Sequence, residues 1–181
     1  MGKISEQQAM EDFTFDTSSK TGLVFSEEAA DKKTVLLFLR YYGCTLCRLD
    51  MRLLREHYAE ISGAGGQVFV VLQSAPELIE RETSSDPFPF TIICDPRQEL
   101  YRRFEIRPAS SKLAMAGGKT LRKIGLAKKY RLAHGEYEGE ELQLPACFVI
   151  DRSFTVRYAR YAKNLADIPG PDELAAILRT I

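Results

Sequence analysis

The chain alternates between short unbroken apolar runs and stretches in which apolar residues recur every three or four positions. TVLLFLR (34–40) is continuous and apolar, which suits a strand buried on both faces of a sheet. After Gly43 the period changes. Cys47, Met51, Leu54, Tyr58 and Ile61 recur at steps of four, three, four and three, which puts them on one face of a helix. Gly63, Gly65 and Gly66 end that helix. QVFVVLQ (67–73) predicts a second buried strand, followed by a helix over 76–82 whose proline sits in the first turn, where it is tolerated. FPFTIICDP (88–96) predicts a third strand stopped by Asp95 and Pro96, and QELYRRF (98–104) a short helix. ACFVI (146–150) and TVRYARYA (155–162) are joined through Asp151, Arg152 and Ser153, a hairpin-like connection. PDELAAILRTI (171–181) is an amphipathic closing helix with Asp172 and Glu173 in its first turn, where they favour the helix dipole. Upstream, DFTFDTSSKTGLVF (12–25) reads as a hairpin turning at its Ser-Ser-Lys-Thr-Gly cluster.

The first half is therefore strand-helix-strand and the second strand-strand-helix, an α/β pattern with a mixed sheet covered by helices. Between them lies a segment of different character. Residues 107–135 contain eight basic side chains and no acidic one, with Lys119, Arg122, Lys123, Lys128, Lys129 and Arg131 interleaved with Leu121, Ile124, Leu126 and Tyr130. Two readings stand for this insertion, taken as 107–141. It is an anion- or partner-binding lid, or it is a solvated helix face balanced by the acidic GEYEGEE (135–141) that follows.

At 181 residues with 45% apolar content, the chain is expected to form one domain, 1–181, around a substantial core. Lys plus Arg and Asp plus Glu both total 25, so no bulk basicity points to nucleic acid. The N-terminal residues lack a signal-like apolar run, and no run approaches the roughly 20 residues that span a bilayer. A cytoplasmic protein without membrane association is expected. Four cysteines, Cys44, Cys47, Cys94 and Cys147, are too few for a disulfide-stapled scaffold of this length.

Two of them form the pair in YYGCTLCR (41–48). A helix starting there puts Cys44 at the N-cap and Cys47 in the first turn. Unpaired backbone N–H groups and the dipole's positive end then favour a thiolate, and Arg40 and Arg48 flank the site. A zinc site needs about four ligands, and Cys94, Cys147, His57 and His134 offer no second pair at a finger spacing, so no metal is expected. An inert pair of packed cysteines is the bland alternative. The setting, directly after a buried strand and opening a helix, favours redox chemistry. His57 lies about 15 Å along the helix from Cys47, too far to serve as its base. His134, inside the insertion, is given no role. Cys94 and Cys147 lie in apolar runs where buried cysteine is ordinary, although Cys147 shares its strand face with Pro145.

FLRYYGCTLCR resembles the active-site segment of thioredoxin-fold proteins, and in detail that of the peroxiredoxin-like branch of the alkyl hydroperoxide reductase and thiol-specific antioxidant (AhpC/TSA) family. FPFTIICDPRQELYRRFEI and LQLPACFVIDRSFTVRYARY resemble further segments of the same group, so the likeness runs from about Asp12 to the C-terminus. The resemblance implies a thioredoxin-like fold and a thiol oxidoreductase cycling a disulfide, with no cofactor beyond its cysteines. It also implies a peroxide or disulfide substrate and a thiol reductant such as thioredoxin or glutathione; a homodimer could form through an edge such as 155–162. The family's Pro-x-x-x-Thr-x-x-Cys places its peroxide-attacking cysteine at Cys47, its Thr at Cys44 and its Pro at Arg40. Where an activating arginine is expected, this chain has Pro145, which resembles the cis-proline of thioredoxins and predicts a cis bond after Leu144. Arg40, Arg48, Leu144 and Pro145 are the expected substrate contacts. The order of attack is open: Cys47 strikes a peroxide and Cys44 resolves, or an exposed Cys44 strikes a disulfide and a more buried Cys47 resolves. In a reading of another class, the chain is a non-catalytic binding module whose basic insertion holds an acidic partner.

Overall fold

A computed structural model describes residues 2–181. The N-terminal hairpin pairs β1 (Thr14–Phe15) with β2 (Leu23–Val24). Its turn closes where Thr17 N–H donates to Lys20 O at 2.8 Å, and Gly22, at φ +67°, donates to Asp16 Oδ1 at 2.7 Å. A one-turn helix α1 (Phe25–Glu28) leads to β3 (Lys33–Phe38), then α2 (Thr45–Glu56), α3 (Tyr58–Gly63) and β4 (Gly66–Leu72). α4 (Pro76–Thr83), β5 (Thr91–Cys94) and α5 (Glu99–Arg103) follow, and α6 (Gly118–Lys129) forms the body of the insertion. The chain ends with β6 (Ala146–Ile150), β7 (Val156–Tyr161) and α7 (Pro171–Arg179).

β3 to β7 form one five-stranded sheet in the order β5-β4-β3-β6-β7, parallel across β5, β4 and β3 and antiparallel across β3, β6 and β7. The apolar runs are continuous because both faces are covered, and the two-residue period sorts their side chains. Val35, Leu37, Val68, Val70, Cys147 and Val149 pack into the core under α2, α3 and α7. Leu36, Phe38, Phe69, Val71, Phe148 and Ile150 pack into the opposite core with the hairpin and α5. No helix among the described residues is long and apolar enough to cross a membrane.

Three details differ from the sequence pattern. The helical row from Cys47 to Ile61 is broken at His57, whose backbone leaves the helical region (φ −107°, ψ 13°) and whose ring meets Glu60 at 2.9 Å. Ile61 still reaches the same core from α3. The third strand starts at Thr91 rather than Phe88, because Phe88 lies under the Arg55 guanidinium at 4.1 Å and stacks on Phe90 at 4.9 Å. The acidic run after the insertion mostly turns away from the basic helix. Glu136 pairs with Arg81 at 2.8 Å, and Glu138 accepts from Ser74 Oγ at 2.5 Å and Ala75 N–H at 3.2 Å. Only Glu141 answers an insertion cation, Lys112, at 3.6 Å.

α6 is seated on α2 instead. Lys123 meets Asp50 at 2.7 Å with side chains only 14% and 15% exposed, and Tyr130 reaches Glu56 at 3.0 Å. Arg52 covers the Tyr130 ring at 4.5 Å.

Candidate active site

The register that ends β3 builds the site. Beyond Phe38 the chain leaves the sheet, Cys44 N–H donates to Tyr41 O at 3.1 Å, and α2 begins with Cys44 as its N-cap. Cys44 Sγ accepts from Cys47 N–H at 3.4 Å, and Cys47 Sγ accepts from Arg40 N–H at 3.4 Å. Arg40 Nη1 reaches Cys44 Sγ at 3.6 Å.

These contacts split the two thiols. Cys44 is lowered from 9.0 to about 6, chiefly by the hydrogen bond from the Cys47 thiol, with the Arg40 charge and the Cys47 and Leu46 N–H groups adding to it against the cost of burial. Cys47 is pushed well above 9.0 by burial, by giving its proton toward Cys44 and by the nearby negative charges. Both shifts favour charge on Cys44 and a proton on Cys47. Burial pushes Cys94 up to about 12 and also raises Cys147, so neither is a thiolate.

The expected exposure difference is not found. Cys44 is 2% exposed and Cys47 4%, so burial does not single out an outer cysteine. Part of the insertion packs on the loop that carries them. Residues 133–138 cross the cysteine loop as a strap, with Gly135 N–H donating to Gly43 O at 2.8 Å and Arg48 Nη1 to Ala133 O at 3.2 Å. A Cβ on Gly43 would lie 2.1 Å from Glu136 O, so only glycine admits this crossing. His134 stacks on Tyr137 with centroids 4.1 Å apart and meets the Tyr41 hydroxyl at 3.1 Å. A cavity of about 300 Å³ opens on one side, lined by Arg40, Leu46, Met115, Ile124, His134 and Tyr137 among others. Another of about 290 Å³ includes Tyr42, Arg48, Arg52 and Leu132.

Of the residues expected at the site, Cys44, Cys47 and Arg40 are in direct contact. Arg48 turns to the strap and to the Tyr42 ring, 5.7 Å away, rather than to a sulfur. Leu144 and Pro145 lie at the start of β6, where pairing of Ala146 with Phe38 brings them to the same end of the sheet as the cysteine loop. The bond between them is not cis, since no described peptide bond is; Pro145 O accepts from Ala162 N–H at 3.1 Å, and the chain enters β6 already extended. His57 is on the surface, as the helix spacing implies, engaged by Glu60 at 2.9 Å and Asp172 at 3.6 Å. His134, assigned nothing from sequence, is the residue that sequence reasoning missed. Its one signal was Gly43, a glycine beside the pair that the close crossing requires.

The AhpC/TSA family model matches residues 7–159. The chain belongs to the AhpC/TSA family. It is a thiol-dependent oxidoreductase of that family with a thioredoxin-like, peroxiredoxin-type fold. Among solved structures it is similar to a thiol peroxidase from Chromobacterium violaceum, at 14% identity and TM-score 0.64 over 98% of this chain and 88% of that one. A peroxiredoxin-like protein from Aquifex aeolicus matches at 15% identity and TM-score 0.66, over 98% and 88% of the two chains. The yeast mitochondrial 1-Cys peroxiredoxin, described as resolved via glutathione and thioredoxin systems, matches at 13% identity and TM-score 0.64, over 98% and 74%. No curated protein sequence matches it.

Proposed function

We propose that this AhpC/TSA protein reduces peroxides with Cys44 as the attacking thiolate and Cys47 as its resolving partner. The observation that carries the reading is the Arg40 guanidinium 3.6 Å from Cys44 Sγ beneath the strap, with Cys47 N–H on the same sulfur. This reverses the assignment that motif alignment alone gives, which puts the attack on Cys47. It also favours a small oxidant over a protein disulfide, because a sulfur 2% exposed admits a peroxide more readily than a folded partner.

The chemistry closes in three steps. Cys44 thiolate attacks one peroxide oxygen; the O–O bond breaks, the sulfur becomes a sulfenic acid, and the departing oxygen takes a proton and leaves as water or an alcohol. The Cys47 thiol then attacks the sulfenic sulfur, forming the Cys44–Cys47 disulfide and releasing water. Two external thiols reduce that disulfide by exchange and are themselves joined. The cycle needs no cofactor beyond the cysteines. Glutathione or thioredoxin is the class of reductant the yeast protein's description suggests. Arg40 polarises the reacting sulfur and Arg48 anchors the strap, while Leu144 and Pro145 lie at the same end of the sheet. Residues 1–181 act on this reading as one unit in a reducing cytoplasm, the insertion 107–141 supplying the roof.

The test compares Cys44→Ser and Cys47→Ser for peroxide consumption, insulin-disulfide reduction and sulfenic acid trapping, with mass analysis of the oxidised wild type for a loss of two hydrogens. Cys44→Ser is expected to consume no peroxide. Cys47→Ser should make one turnover and stop at a trappable sulfenic acid. Continued peroxide consumption by Cys44→Ser, or an oxidised wild type without the Cys44–Cys47 bond, defeats the proposal.

A further inference from the structure

Resting on that reading of Cys44, we propose that His134 and Tyr41 are positioning residues for the thiolate. They form a hydrogen-bonded chain through which the insertion holds Arg40 against Cys44. The chain runs in one direction. His134 Nδ1 lies 2.8 Å from Gly135 O, and a carbonyl only accepts, so Nδ1 carries the proton. In the neutral ring Nε2 is then the acceptor, and the Tyr41 hydroxyl 3.1 Å away donates to it. With its proton committed to His134, the Tyr41 oxygen accepts from Arg40 Nη2 at 3.3 Å. The other guanidinium nitrogen is left to donate to Cys44 Sγ.

Two features make this chain more than a set of neighbours. Arg40 Nε is buried with no hydrogen-bond partner, so the placement of the guanidinium rests on its two terminal nitrogens, one on Tyr41 and one on Cys44. Tyr41 is wholly buried with its ring 5.0 Å below the Arg40 guanidinium, and burial raises its pKa, so it stays a neutral donor. His134 is the side chain that the insertion contributes, braced by Gly135 O; Tyr41, Arg40 and Cys44 stand on the segment leaving β3. Lys112 and Glu141 also border the cavity beside the chain but pair with each other at 3.6 Å.

The test is the pH dependence of Cys44 alkylation by iodoacetamide between pH 5 and 9 in the reduced full-length protein, with the modified site identified by mass. His134→Ala and Tyr41→Phe should each raise the Cys44 pKa by about one, cutting the alkylation rate at pH 6 about fivefold. His134→Gln offers an amide oxygen to the Tyr41 hydroxyl and should restore the rate to within about twofold of wild type. The double variant should equal either single one, because the chain is broken once. An unchanged pH profile in His134→Ala, no rescue by glutamine, or additive losses overturns the proposal. The readout is independent of the oxidant. A low Cys44 pKa that responds to His134 without peroxide turnover defeats only the peroxide reading; peroxide turnover with a Cys44 pKa indifferent to His134 defeats only this one.

Discussion

Replacing Cys47 by alanine tests where the thiolate's stabilisation comes from. A fall from 9.0 to about 6 at Cys44 corresponds to about 4 kcal/mol of preference for the charged form. The largest contribution is the hydrogen bond from the Cys47 thiol, and a hydrogen bond to a charged group is worth about 1.5–3 kcal/mol. Losing it should raise the Cys44 pKa by about one to two, to between about 7 and 8. The thiolate fraction at pH 7 then drops from about 90% to between roughly 50% and 10%. Arg40 and the two N-terminal N–H groups, which do not depend on the Cys47 side chain, account for what remains. Cys47→Ser keeps an O–H donor at the same position and should leave the pKa near its starting value. Thiolate absorbance near 240 nm and alkylation rate, both followed against pH, read the difference directly. If Cys47→Ala and Cys47→Ser give the same Cys44 titration, the side-chain hydrogen bond is not what holds the thiolate; if Cys44→Ser retains a thiol titrating near 6, the thiolate belongs to Cys47 and the electrostatic argument is wrong.

Arg40→Gln removes the positive charge at 3.6 Å and should slow peroxide reaction at pH 7 by about tenfold or more, checked by stopped-flow turnover. Gly43→Ala sets a Cβ against Glu136 O and should displace the strap at a cost of about 1–3 kcal/mol. A bulky aromatic disulfide should then react faster with Cys44 while hydrogen peroxide changes little, and unchanged reactivity toward both would mean the strap does not gate access. Lys123→Ala leaves Asp50 largely buried and unpaired and should cost about 3 kcal/mol in urea unfolding, much of it recovered by Asp50→Asn in the same chain. The Cys44 pKa also links stability to pH. Because the folded value of about 6 lies below the ordinary 9.0, the reduced protein's advantage over Cys44→Ala is fully present above 9 and is lost as pH falls toward 6. Unfolding free energies from denaturant melts between pH 6 and 8.5 should therefore diverge by up to about 1.4 kcal/mol per pH unit, and parallel curves would contradict the thiolate.

How much of this was legible in the chain depended on whether a signal was local. The strands of the sheet announce themselves because burial on both faces leaves no polar alternation to confuse with a helix, and β6 falls on ACFVI residue for residue. The N-cap cysteine follows from the change of period after Gly43, and Arg40 from its place at the end of the apolar run, two residues past the strand. The failures are of longer range. The cysteine loop is crossed at Gly43 by a strap almost a hundred residues downstream, and nothing in AHGEYEGE carries a period that would place it. The acidic run looked like a counterweight to the basic helix because the two are adjacent in sequence, yet Glu138 is spent on the start of α4, satisfying Ser74 and the Ala75 N–H. The cis bond at Pro145 rested on analogy with a fold-mate, and the extended pairing into β6 decides against it.

The departures from the family's cysteine motif belong together. Taken singly, cysteine in the threonine place removes a hydroxyl, arginine in the proline place removes a rigid turn, and Pro145 removes an activating cation. In the folded chain the arginine in the proline place lies 3.6 Å from the sulfur in the threonine place, so on the proposed reading Arg40, just past the end of β3, supplies the cation missing at Pro145. On the same reading the cysteine in the family's own place is the donor that favours charge on that sulfur. On the proposed reading the reacting sulfur has moved one helical turn toward the N-terminus, where backbone N–H groups are unpaired and the dipole is strongest. A thiolate so stabilised also stabilises the reduced pair, which favours reduction of the disulfide at neutral pH. That makes the Cys44–Cys47 disulfide the easier one for an external thiol to reopen, which a strap-covered site needs if a small thiol is to close the cycle.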